Sequence, residues 1–149
     1  MEKITVHATY AVRGHVRAPL LWCDAPLCFW GVVDPRTGDI RDNRHPLFQK
    51  NMAGKVLAFT CPKGSSGTGL VLMEQVRNDC APAAIINITT DPVVLTGPLI
   101  EKNFYAYTIP TVTISQKDYA LLEQAAEVEF SDTEDAITLW MASAERSEA

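Results

Sequence analysis

The 149-residue chain has no cluster of lysine and arginine, no long apolar run, and no cysteine pattern that could carry a fold. Each absence excludes something. Thirteen Lys and Arg stand against 18 Asp and Glu, a net charge of −5, which argues against a nucleic-acid groove or a basic membrane-surface patch. No apolar stretch approaches the ~18 residues of a membrane span, and the opening MEKITVHATY does not read as a signal segment. A cytoplasmic location is the expectation. Cys23, Cys28, Cys61 and Cys80 are too few for a disulfide scaffold and lack the spacing of a zinc site. Reduced, partly buried thiols are expected, with no metal bound by this chain.

What is present is ordinary globular usage, 47% hydrophobic and 21% charged, in a length that suits one domain over residues 1–149 with a frayed tail from about 141. The N-terminal half is β-rich: KITVHATY (3–10) alternates apolar and polar residues, and Gly14, Pro19 and Pro26 punctuate the next stretch of chain. DPRTGDI (34–40) turns the chain sharply before RDNRHPLFQKNMAG, a long polar connection without periodicity. From residue 55 the pattern changes. KVLAFT (55–60), a helical stretch after Gly69 and PAAIINIT (82–89) make a parallel strand-helix-strand unit, so the fold class is α/β. ISQKDYALLEQAA (114–126) predicts a helix with Ser115 as N-cap and Ile114, Tyr119, Leu122 and Ala126 near one face, with a short strand after it at EVEF (127–130).

Between KVLAFT and LVLMEQV lies KGSSGTG, Lys63 to Gly69. A loop between a strand and a helix brings together unpaired N–H groups and the positive end of the helix dipole, a setting that binds anions. Gly64-x4-Gly69 begins like a nucleotide-binding P-loop, but Leu70 and Val71 stand where that motif requires Lys and a hydroxyl residue. The G-x-S-x-G of a nucleophile elbow is also absent. Two readings of the local pattern stay open: a tight turn with capping serines, or a functional loop. Asp34 and Arg36 read first as turn residues, for His45 a loop role and a functional role both stay open, and Trp22, Phe29 and Trp30 read as core or subunit interface.

Five stretches in order, LCFWGVVDPRTGDI (27–40), HPL (45–47), AGKVLAFTCPKGSSGTG (53–69), APAAII (81–86) and IPTV (109–112), resemble the small subunit of the aconitase X family, over residues 14 to 130. The resemblance implies a swivelling β/β/α domain that docks on a large subunit. It implies a hydro-lyase acting on a small hydroxy acid, of the cis-3-hydroxy-L-proline or the mevalonate 5-phosphate type. An iron centre or iron–sulfur cluster would be held by the large subunit. Ser65 matches the position of the family's serine base, and Gly64, Ser66, Gly67 and Thr68 would present the loop to substrate. The modest charge points to the hydroxyproline-type reaction. The competing reading is a stand-alone module that holds a small anion without chemistry.

The chain departs from the family pattern at four places. Gly31-Val32 replaces a pair of glycines, Cys28 replaces a serine, Phe48-Gln49-Lys50 stands where the family has a glycine, and the loop ends Gly67-Thr68-Gly69 where many members have a glycine and then a serine. Thiol labelling of freshly purified, denatured protein is expected to find four alkylatable cysteines by mass spectrometry; stable intrachain bridges would contradict the reduced setting.

Overall fold

The computed structural model describes residues 2–63, 67–89 and 109–142, and for Gly67 and Thr68 the backbone alone. The strands are Lys3–His7 (β1), Thr9–Val12 (β2), Val16–Trp22 (β3), Val56–Ala58 (β4), Ala84–Asn87 (β5), Thr111–Thr113 (β6), Ala125–Phe130 (β7) and Ala136–Met141 (β8). The helices among the described residues are Gly67–Arg77 (α1) and Gln116–Leu121 (α2), the latter continued by a 3-10 turn at Leu122–Gln124.

The sheet order is β1-β8-β7-β3-β4-β5-β6-β2. Its first and last members are one stretch of chain, because only the fully buried Ala8 separates β1 from β2. That stretch pairs antiparallel with β8 over its first half and with β6 over its second, so the sheet curls into a nearly closed barrel. β3 is shared in the same way. Val16 to Pro19 pair antiparallel with β7, and Leu20 to Trp22 pair parallel with β4. Pro19, which has no N–H to give, sits at the changeover.

The two halves differ in burial for a physical reason. The antiparallel half turns one face to solvent, so Ile137, Leu139 and Met141 are buried along β8 while the residues between them are half-exposed. Every residue of β4 and β5 is buried, because both faces of the parallel half are covered. Val56, Ala58, Ala84 and Ile86 point into the barrel core with Tyr119, Leu122, Val128 and Phe130. Leu57, Phe59 and Ile85 point the other way, into a second core with Val71 and Leu72 of α1 and with Leu27, Phe29, Val33, Ile40 and Met52.

The expected β4-α1-β5 unit is present with parallel pairing. Ser115 caps α2 as expected, its Oγ accepting from the Asp118 amide at 3.1 Å. The helix is shorter than its apolar period suggests: α2 stops at Leu121, and β7 starts at Ala125 rather than 127 because Ala125 already pairs with Met141. The alternation of AITLWM forms β8, a strand absent from the sequence expectations. The tail falls outside the described residues from 143 onward. No helix among the described residues is long and apolar enough to cross a membrane.

The connection from β3 to β4, residues 23–55, is ordered despite its polar, aperiodic sequence. Isolated bridges Val33–Ile40 and Asp39–Asn51 fold it back on itself, and Cys80 Sγ and Asn78 Nδ2 both donate to the Pro35 carbonyl at 3.2 and 3.0 Å. Gly38 is required there: its φ is +83°, and a Cβ would lie 2.8 Å from the Cys80 carbonyl oxygen. Gln49, beside Phe48, has φ 70°, a left-handed conformation that glycine adopts without cost. Val32 has no such φ, so its side chain costs the backbone nothing there. Gln49→Gly is expected to stabilise the protein by about 0.5–1 kcal/mol, the left-handed cost less the chain entropy of glycine. Gln49→Val is expected to destabilise it. Urea midpoints of the three proteins check both.

Candidate active site at the carboxyl edge of the parallel strands

In sheets with parallel strands the chain ends that leave the strands' carboxyl edge gather the ligand-binding loops. Here β3, β4 and β5 run parallel to one another and release Cys23–Leu27, Phe59–Lys63 and Ile88–Thr89 at one edge. Backbone hydrogen bonds lace these exits together. The Cys23 amide donates to Ala58 O at 3.1 Å, Thr60 to Ala25 O at 3.0 Å, Leu27 to Cys61 O at 3.2 Å, and Lys63 to Leu27 O at 3.0 Å. Ile88 N donates to Thr60 O at 2.9 Å. Buried Asn87 adds a crosslink, its Nδ2 donating to Phe59 O at 2.9 Å.

This lacing fixes the direction in which the chain leaves Lys63, and α1 fixes where it returns. Leu72 is fully buried and Val71 nearly so in the second core, and Gln75 Nε2 donates to Cys80 O at 3.2 Å, which seats the helix. The first turn of α1 carries no acidic residue to offset its positive end. Gly64, Ser65 and Ser66 lie outside the described residues, as do the side chains of Gly67 and Thr68. What the geometry establishes is the frame: β4 ends at Ala58, the chain after it is laced down as far as Lys63, and α1 starts at Gly67, on the carboxyl edge of the parallel half.

Two hollows flank this frame. One of about 440 Å³ is lined by Pro26, Cys28, Arg44, His45 and Lys63 among others. His45 is part of its wall and not a free base: Nδ1 accepts from the Leu47 amide at 3.1 Å, which leaves the Nε2 proton to donate to Pro26 O at 3.0 Å. The second, about 420 Å³, lies between Trp30, Asp34, Arg36, Arg41 and Val71 of α1.

Asp34 organises that second hollow. It forms the expected turn, its Oδ1 accepting from the Arg36 amide at 2.9 Å. It is also a buried charge, only 3% exposed, which its turn sequence does not signal. Arg36 Nε stands 3.4 Å from Oδ1, and Arg41 Nη2 stands 2.5 Å from Oδ2, off the line of a hydrogen bond, so that contact is an ion pair. The Arg36 amide first, and then against the cost of burial the Arg36 and Arg41 guanidinium groups, hold the Asp34 carboxyl below the ordinary carboxylate range. The signal for Arg41 is its place in GDIR, seven residues after Asp34 on the return of the turn.

The aromatic trio does not cluster. Trp22 packs on Tyr119 with ring centroids 6.0 Å apart, Phe29 packs edge-on against Phe59 at 5.9 Å, and Trp30 is exposed. All four cysteines are free thiols, with burial raising Cys23 to about 11 and pushing Cys80 up. Among the described residues no group of three His, Cys, Asp or Glu side chains is placed to hold a metal ion.

Comparison with known proteins places these features in a family. A family model described as the aconitase X swivel domain matches residues 5–139. The phosphomevalonate dehydratase small subunit of Methanothermobacter thermautotrophicus is 38% identical over 126 residues, 84% of this chain and 92% of that protein. The cis-3-hydroxy-L-proline dehydratase of Pseudomonas aeruginosa is 30% identical over 106 residues, 71% of this chain and 18% of that longer protein. The crystal structure of holo aconitase X from Thermococcus kodakaraensis superposes with a TM-score of 0.81 at 27% identity, covering 91% of this chain and 98% of that one.

Because the Asp34 carboxyl titrates below its unfolded value near 3.9, the unfolded chain takes up the proton first as pH falls. The stabilisation is therefore complete above about pH 4 and is lost as pH drops through the lower folded value. Asp34→Asn is expected to lower stability at pH 7 and to flatten its dependence below pH 4. Urea titrations at pH 7 and pH 3 check this; an unchanged acid slope in the variant would contradict it.

Proposed function

From the premise that this chain belongs to the aconitase X swivel-domain family, we propose that it is the small subunit of a two-subunit hydro-lyase and supplies Ser65 as the base that dehydrates a small hydroxy acid. The observation that carries this reading is the match over residues 5–139, and it is supported by the β4-to-α1 connection, whose described ends at Lys63 and Gly67 flank Ser65 in the sequence.

The chemistry suits such a position. Removing a proton next to a carboxylate requires a base and a means of holding the charge that develops. A lone serine hydroxyl is a weak base, so its alkoxide needs backbone N–H groups and the positive end of a helix dipole. Ser65 lies two residues before α1, whose first turn carries no competing carboxylate. In this reading Gly64, Ser66, Gly67 and Thr68 present the loop to substrate, and a large subunit closing over the edge expels water that would weaken those interactions.

The iron centre or iron–sulfur cluster of the enzyme belongs to that large subunit. This chain's cysteines do not suit it, since Cys23 and Cys80 are buried with thiols held protonated, and no donor set gathers around Cys28 or Cys61 among the described residues. Four free thiols also agree with a reduced cytoplasmic setting. The modest charge supports a cis-3-hydroxy-L-proline type of substrate. Mevalonate 5-phosphate is the second reading, supported by the higher identity to phosphomevalonate dehydratase small subunits.

Ser65→Ala is expected to lower kcat of the reconstituted complex by at least ~100-fold, the low end for a general base, while stability changes by at most ~1 kcal/mol. Ser66→Ala is expected to be milder. Turnover of both substrate types by both variants checks this. Near wild-type turnover by Ser65→Ala on a substrate the wild type dehydrates would place the base in the large subunit, and a wild-type complex inactive on both types would favour the non-catalytic module.

A further inference from the structure

The chain's charge is divided unevenly. Residues 30–63 hold six of the 13 Lys and Arg but only three of the 18 Asp and Glu, a net +3 in a chain of −5, which leaves −8 on the remainder. The three carboxylates are already engaged. Asp34 is tied to Arg36 and Arg41, Asp39 accepts from Asn51 and Thr37, and Asp42 holds Arg44.

The exposed large apolar side chains of the described residues are Trp30, Phe48 and Leu70, and none belongs to the barrel wall. Trp30 is 59% exposed because it sits at the tip of a tight turn, with the Val32 and Val33 amides both donating to Phe29 O and Gly31 at φ +78°. Phe48 is turned outward beside the left-handed Gln49. Arg41 stands between them. It lines the hollow that contains Trp30 and Val71, and also a second hollow of about 530 Å³ that contains Phe48 and Gln49. Buried Asp34 grips one side of its guanidinium, while the side chain as a whole stays 60% exposed.

A tryptophan and an arginine held in place at the centre of a partly apolar patch are the side chains that dominate protein interfaces. We infer that Trp30, Arg41 and Phe48 form the docking surface for the large subunit, receiving from it a carboxylate at Arg41 with apolar side chains in the hollows on either side. The inference rests on the two-subunit reading above. A second copy of this chain fits the surface poorly, because a two-fold interface sets the patch against itself and would face one group of Arg36, Arg41 and Arg44 with another. Val71 joins the patch to α1, and Lys63 and Arg44 line the neighbouring hollow, so a partner seated here borders α1 and Lys63, the described ends of the segment that carries Ser65.

The test is calorimetric binding of the purified large subunit from the same genome to wild type, Trp30→Ala, Arg41→Gln and Lys3→Glu, the last a control on the barrel wall. Trp30→Ala and Arg41→Gln are each expected to weaken binding at least about 30-fold, with Lys3→Glu within a few-fold of wild type. The Arg41→Gln complex is also expected to lose part of the salt dependence of wild type. Trp30 is outside both cores, so Trp30→Ala remains a valid probe even if Arg41→Gln disturbs Asp34. Equal affinity of all four proteins overturns this inference alone, as does concentration-dependent self-association of the isolated chain that Trp30→Ala abolishes. No binding by wild type overturns the two-subunit reading and the inference with it.

Discussion

The strand at residues 3–12 is hydrogen-bonded to β8 over its first half and to β6 over its second, and the barrel exists because one strand serves both edges. Ala8, fully buried, sits at the handover, its amide donating to Asp135 O at 3.0 Å. A larger side chain there would have to displace core residues. Tyr10 reinforces the closure from the other side, its hydroxyl donating to Ala136 O at 2.8 Å and accepting from the Ser131 amide at 2.7 Å. This near-closure shortens the free edges that an open sheet would expose and holds the parallel strands at a fixed stagger.

That stagger sets the position of the candidate site. β3 leaves the antiparallel half at Pro19 and carries the chain to the carboxyl edge, where the exits of β3, β4 and β5 are laced by backbone hydrogen bonds. The excursion over residues 23–55 then folds across the outer face of the parallel half, with Phe29, Val33, Ile40 and Met52 packed on Leu57, Phe59 and Leu72. Its polar residues are consumed internally: His45 holds Pro26, Asn51 holds Thr37 and Asp39, and Asp34 holds the two arginines. A basic and aromatic face is left outward, beside the end of β4 and the start of α1.

The parts legible in the sequence are those set by local pattern. KVLAFT and PAAIINIT read as buried strands because burial on both faces leaves a continuous apolar run, and Ser115 reads as a cap because its partner is three residues away. The order in residues 23–55 is not legible, since it depends on contacts such as Asn78 to Pro35 that leave no period along the chain. The burial of Asp34 is hidden for the same reason: a turn aspartate and a buried ion-paired aspartate have the same sequence. Trp22, Phe29 and Trp30 are close in sequence but divided by the exit of β3, where one side chain faces the barrel core, one the second core and one the solvent. The left-handed backbone at Gln49 is hidden as well, because no glycine marks it in the sequence.

Deuterium exchange of this chain with and without the large subunit tests most directly whether the carboxyl edge of the parallel half, and not the barrel wall, is the working face. Added protection is expected over residues 25–50 and the first turns of α1, with the amides of β7 and β8 unchanged. Protection centred on β7 and β8, or none anywhere in a complex that forms, would contradict it.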